Sequence, residues 1–163
     1  MKRVLAAVVV AGSLAVAPAL AQVELDRVLV RIGSSIITRS DVRQARMLRL
    51  VPENDTDDST RLALENRVLI LNEVNHGAPL DPVTDGELSA RRREWEGGLG
   101  AGAKLSETMV QAGMSEAALQ SWLRDDCRIR SYLARQFGPL PETERARATS
   151  EWLQRLRTRA GLK

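Results

Sequence analysis

The sequence predicts a mainly α protein, with an N-terminal β-hairpin packed on a bundle of about five to six helices and closed by a C-terminal helix. Three observations carry this reading. Two short β-branched runs flank Gly33 near the start. Side-chain N-cap residues recur at Thr38, Thr84 and Ser115. Apolar residues then return every three or four positions along the later segments.

Val28-Leu29-Val30-Arg31-Ile32 is β-branched and apolar, Gly33-Ser34-Ser35 is turn material, and Ile36-Ile37 begins the return strand. Thr38 with Asp41 is a capping-box variant, so a helix starts there, carries Val42, Met47, Leu48, Leu50 and Val51, and stops before Pro52. Glu53 to Asp58 form an acidic loop. A helix from about Ser59 to Asn75 bears Leu62, Leu64, Val68, Leu69, Ile70, Leu71 and Val74, a stripe too wide for one face, which makes it central and buried. Gly77 is its expected C′ residue, and His76 sits where a cation favours the helix dipole.

Thr84 and Glu87 form a second capping box, opening a helix through Trp95 with Leu88 on the same face. Gly97 to Gly102 read as a hinge. A phosphate loop is excluded because a helix precedes the glycines and Lys104 is followed by Leu105. Ser106 to Ala112 form a short helix closed by Gly113. Ser115 caps a long one to about Phe137, with Leu119, Trp122, Leu123, Cys127, Ile129 and Leu133 on its apolar side. Gly138-Pro139-Leu140-Pro141 breaks the chain. The final helix, Glu142 to Ala160, places Trp152, Leu153 and Leu156 on one side, with Arg155, Arg157 and Arg159 elsewhere.

Met1-Lys2-Arg3, an uncharged stretch to Val16, and Ala19-Leu20-Ala21 before Gln22 have the arrangement of a cleavable export signal. The alternative, a membrane anchor, sits at the short limit, since a spanning helix needs about 20 apolar residues. The expected organisation is a signal over 1–21, a module over 22–138 and a closing helix over 139–163, with the exported chain outside the cytoplasm.

The 163 residues carry 24 basic and 21 acidic side chains, but Lys2 and Arg3 fall in the signal, so the exported chain is near neutral. It has one Tyr, one Phe and three Trp. Near-neutral charge and few aromatics argue against nucleic acid as a partner. One Cys and one His exclude an internal disulfide framework, a histidine zinc cluster and paired-imidazole chemistry. Cys127 falls on an apolar face with no activating base, so it reads as a core thiol. No cofactor is expected.

The stretch Asp26 to Gly33 followed by Ile36-Ile37-Thr38-Arg39-Ser40-Asp41-Val42 resembles the N-terminal hairpin and helix start of SurA-type periplasmic chaperones. Arg67 to Glu73 is similar to that family's buried helix, Val83 to Leu88 to its V-T-D-x-E-L helix start, and Gly113-Met114-Ser115 to its G-x-S turn. Trp152 to Arg157 is similar to its closing helix. The parvulin prolyl-isomerase domain that longer members carry between the last two helices has no counterpart between Gly138 and Ala148. The resemblance therefore implies a periplasmic chaperone module without isomerase activity, not an enzyme.

Such a module needs pliable apolar surface for unfolded envelope proteins, and the hairpin's outer edge offers main-chain pairing to a client strand. The expected client-contacting residues are Met47, Trp95, Leu99, Met109, Met114 and Trp152. An accessory module binding one specific partner, such as a longer isomerase-bearing relative, is the alternative. A homodimer that exchanges the closing helix is compatible with its Pro-flanked link.

Overall fold

The structure, a computed structural model, describes residues 26–52, 55–100 and 104–162. The expected signal lies outside the described residues, as do the start of the acidic loop and part of the glycine hinge. The elements run β1 (Val28–Ile32), β2 (Ser35–Thr38), α1 (Arg39–Met47), α2 (Asp57–His76), α3 (Asp85–Gly98), α4 (Leu105–Ala112), α5 (Glu116–Phe137) and α6 (Glu142–Arg159). This is the mainly helical architecture with an N-terminal hairpin that the sequence predicts.

The hairpin is antiparallel, with Val30 opposite Ile37 and Ile32 opposite Ser35, and Leu29 is the extra residue where the register shifts. Gly33 supplies the positive φ, +58°, that the tight turn requires. A two-stranded ribbon does not stand alone. Here it lies on α2 and α1 and buries Ile32 and Ile37 against them.

Helix α2 is central, touching the hairpin, α1, α5 and α6. It begins two residues earlier than the apolar pattern suggests, because Thr56 and Ser59 form a reciprocal cap. At its other end Gly77 is extended (φ −79°, ψ −176°), not left-handed as a C′ glycine would be. The glycine serves close approach instead: a Cβ there would lie 2.9 Å from the Glu73 carbonyl oxygen and 3.6 Å from the Tyr132 ring.

Helix α1 stops four residues short of the expected boundary. Leu50 donates its N–H to the Ala45 carbonyl at 2.9 Å and Arg49 donates to Arg46 at 3.2 Å, the paired bonds of a Schellman turn. Arg49 occupies the left-handed position, φ +46°, that glycine usually fills. The turn swings Leu48, Leu50 and Val51 into the core, which a continuous helix would splay around its circumference. Helix α3 runs past Trp95 through Gly97 and Gly98, so the first two of the six residues of the expected hinge are helical. Thr84 and Glu87, Ser115, and Gly113 (φ +66°) perform the capping roles read from the sequence.

The closing helix α6 packs on α2 and α5 of its own chain. Trp152 meets Phe137 edge-on at 5.5 Å between ring centroids and lies 5.9 Å from Tyr132. Arg157, expected off the apolar side, is buried with them. It donates to Glu65 at 2.9 Å, and Arg61 donates to the other oxygen of that carboxylate at 2.6 Å.

Candidate functional site

Four of the six residues expected to touch clients belong to the core. Trp95, Met109, Met114 and Trp152 are each less than a tenth exposed. The Trp95 indole N–H donates to the Leu48 carbonyl at 2.8 Å, tying α3 to the turn after α1. Met114 donates its amide to the Met109 carbonyl at 2.9 Å, so both methionines fasten the end of α4. Leu99, the C-cap of α3, is half-buried, and Met47 is half-buried on the rim of a charged cleft. These six side chains are not brought together as an open groove. They satisfy the 3.6-residue pattern by filling the interior, which is the default fate of large apolar side chains on helices.

The exposed apolar side chains cluster on the hairpin, with Leu62 and Val110 lying apart on α2 and α4. Among the described residues the exposed large hydrophobics are Val28, Leu29, Ile36, Leu62 and Val110, and the first three sit within nine positions of one another. Only two strands pair, so each strand keeps an outer edge with no partner among the described residues.

Beside this patch a cleft of about 230 Å³ opens between β2, α1, α2 and α5. Ile36, Ile37, Leu64, Val68, Leu71 and Trp122 line it, and Asp41, Gln44, Arg67 and Asp125 are its polar members. The Gln44 amide donates to the Ala112 carbonyl at 3.0 Å, which ties α1 to the end of α4. Arg67 lies over the Trp122 ring at 3.8 Å from its centroid and donates to the Trp122 carbonyl at 2.8 Å. It also bridges to Asp126, which Arg91 grips with two hydrogen bonds of 2.7 and 3.1 Å. Burial lowers the Arg67 pKa from its ordinary value, and the Asp126 carboxylate opposes that shift. The wall behind Trp122 is thus an Arg-Asp-Arg network that fixes the indole plane.

The indole N–H of Trp122 is buried and has no acceptor among the described residues, an exception to the rule that buried donors are paired. Sequence reasoning placed Trp122 in the core and missed the cleft, because β2 and α5 are brought together only by tertiary packing.

Neither Cys127 nor His76 lines this cleft. Cys127 is buried, its Sγ 3.9 Å from the Glu87 carbonyl, and burial pushes its thiol pKa up, away from a nucleophilic thiolate. His76 is exposed, with Nδ1 2.6 Å from the Asn72 carbonyl at the end of α2. No group of three or more possible metal ligands occurs among the described residues, and no described helix is long and apolar enough to cross a membrane. No family model, no curated protein and no solved structure matches the chain.

Proposed function

We propose that the chain is an ATP-independent periplasmic holdase that binds extended segments of unfolded envelope proteins, outer-membrane proteins among them, and performs no isomerisation. Its binding surface is the hairpin and the adjoining cleft, not the groove of methionines and tryptophans that composition suggests. The observation that carries this reading is the concentration of exposed Val28, Leu29 and Ile36 on a ribbon with unpaired edges. Main-chain pairing along such an edge is indifferent to client sequence, and alternate client side chains would fall on the apolar patch or into the cleft. The resemblance of the Asp26 to Val42 stretch to SurA-type chaperones supports the same reading.

Apolar burial supplies the affinity, at about 25 cal/mol per Å² removed from water. A surface this small gives weak, reversible holding, which suits a chaperone that must release its client.

The test is suppression of aggregation of a urea-unfolded outer-membrane protein by the purified chain. The expected result is suppression near equimolar ratio, reduced by Leu29→Lys and Ile36→Lys, which change exposed side chains and leave the core intact. No suppression at several-fold excess overturns the proposal. Suppression that both lysine variants retain in full moves the binding surface away from the hairpin.

A further inference from the structure

A second surface is chemically the opposite of the first. Arg27, Arg39, Arg43, Arg46 and Arg49 line a cleft of about 950 Å³ bounded by the entry to β1, the outer face of α1 and the residues leading into α2. Arg39, Arg43 and Arg46 are four and three positions apart, so they share a face and span about 10 Å along the axis at 1.5 Å per residue. Arg27 is fixed at the upper end because its carbonyl accepts the Arg39 N–H at 2.9 Å. Arg49 closes the lower end from its left-handed position, donating to the Gly98 carbonyl at 3.2 Å.

Five arginines outnumber the three aspartates in this lining. Arg61, Arg67, Arg91, Arg92, Arg130 and Arg157 each bridge to a carboxylate. In the cleft Arg46 does so, with Asp57 at 2.6 Å, while Arg27, Arg39, Arg43 and Arg49 make no salt bridge among the described residues. Two of the three aspartates in the lining are committed locally: Asp57 to Arg46, and Asp26 to the Ser40 amide at 3.1 Å. Like charges at this spacing disfavour the helix that carries them. The chain nevertheless concentrates them on one face, and keeps Arg49 where a glycine would sit without strain.

Met47 is the one apolar side chain in the lining, and there is no aromatic ring. The cleft therefore offers nothing on which to stack a base or anchor a greasy peptide. Its chemistry fits a compact ligand that is anionic along its length, and the planar guanidinium fork matches phosphate oxygens two at a time.

We propose that this cleft is a binding site for a ligand carrying two or more phosphate groups. The site is independent of the client-binding surface and stands without it. The ligand chemistry is shared by a soluble polyphosphate and by the phosphates of an anionic lipid surface. Two arms separate these sources. Tripolyphosphate is titrated calorimetrically into the purified chain at low salt. The chain is also co-sedimented with vesicles of phosphatidylglycerol and, as a control, of phosphatidylcholine.

Both arms compare the parent with Arg39→Gln/Arg43→Gln and with Arg124→Gln, an exposed arginine on α5 that makes no salt bridge among the described residues. The expected result is saturable binding in at least one arm, weakened about tenfold or more by the double substitution, steeply salt-dependent, and nearly unchanged in Arg124→Gln. Binding of tripolyphosphate alone assigns a soluble ligand, and binding of phosphatidylglycerol vesicles assigns a lipid surface. No saturable binding in either arm overturns the proposal. So does equal loss in Arg124→Gln, or a poly-glutamate peptide that binds more tightly than tripolyphosphate.

Discussion

Arg157 of the closing helix donates to Glu65 of the central helix at 2.9 Å, with both side chains buried and 92 residues apart in sequence. This pair fixes the angle and register at which α6 lies on α2. A buried ion pair adds little net stability over a well-packed apolar pair, but removing one partner strands the other.

The two partners are not equivalent. When Arg157→Met removes the guanidinium, Glu65 keeps its 2.6 Å bond from Arg61. When Glu65→Leu removes the carboxylate, both arginines lose it at once, and the buried Arg157 keeps the neutral Asn66 oxygen at 3.3 Å in place of a charge. Glu65→Leu is therefore expected to cost about 3–5 kcal/mol and Arg157→Met less, with Glu65→Leu/Arg157→Met recovering most of the loss. Urea unfolding of the three variants measures this. A double variant as unstable as the sum of the singles would show that the pair is not coupled.

Arg49 carries a backbone cost. Its φ of +46° places a Cβ-bearing residue where helices usually end on glycine. Arg49→Gly is expected to raise stability by about 0.5–1 kcal/mol, whereas Arg49→Ala should give no gain because the strain remains. An unfolding midpoint that falls in the glycine variant would mean that the bond to the Gly98 carbonyl outweighs the strain.

The same residue shows where sequence reading succeeds and where it stops. Thr38 with Asp41, Thr84 with Glu87, and Ser115 are legible because a cap is a local bond over three residues. The hairpin is legible because β-branched runs around Gly33 permit little else. The end of α1 is not legible, since an arginine in the glycine position leaves no local signal and the apolar run through Val51 mimics a longer helix. Trp95, Met109, Met114 and Trp152 suit clients by residue type, and all four are core. Composition cannot say whether a ring faces a neighbour or water. The arginine cleft was invisible for a related reason. Arginines spaced three and four apart read as an ordinary solvated helix face until Arg27 is placed beside them by the Arg39 amide. Glu65 gives no hint of burial in a sequence, because its partners lie on a helix 92 residues away and on the preceding turn of its own.

Trp122 and Trp95 make a matched pair for testing the cleft. The Trp95 N–H donates to the Leu48 carbonyl in the core, so Trp95→Phe leaves that carbonyl without its donor and is expected to cost about 1–3 kcal/mol. Trp122 has no acceptor among the described residues to lose, and phenylalanine keeps a ring under Arg67, so Trp122→Phe is expected to change stability by less than about 1 kcal/mol. Because the Trp122 N–H is buried and phenylalanine keeps an aromatic wall, Trp122→Phe should also leave aggregation suppression close to that of the parent. Urea unfolding and aggregation suppression measured on both variants check this. A clear loss of suppression in a Trp122→Phe variant of parental stability would show that the indole N–H reaches the client.

Acidification should weaken the fold through its helix caps and surface pairs. The Glu87 carboxyl is held below its ordinary value of 4.5 by the backbone N–H and then the hydroxyl of Thr84. Glu94 is lowered by Arg130 and Glu116 by Arg92, in each case chiefly through hydrogen bonds. The folded pKa lies below the unfolded one at all three positions. The stabilisation is therefore complete above the unfolded value and is lost as pH falls through the folded one. The urea midpoint should hold steady from neutral pH down to about pH 5 and fall below that. Glu87→Gln isolates one contribution, because the amide oxygen still accepts from Thr84 and completes the box but no longer titrates. Its midpoint should sit close to that of the parent at neutral pH and fall less steeply in acid. An unchanged acid slope in Glu87→Gln would show that the capping carboxylate does not contribute to the pH dependence. A large loss at neutral pH would show instead that the charge at the start of α3, not the hydrogen bond, is what holds that helix.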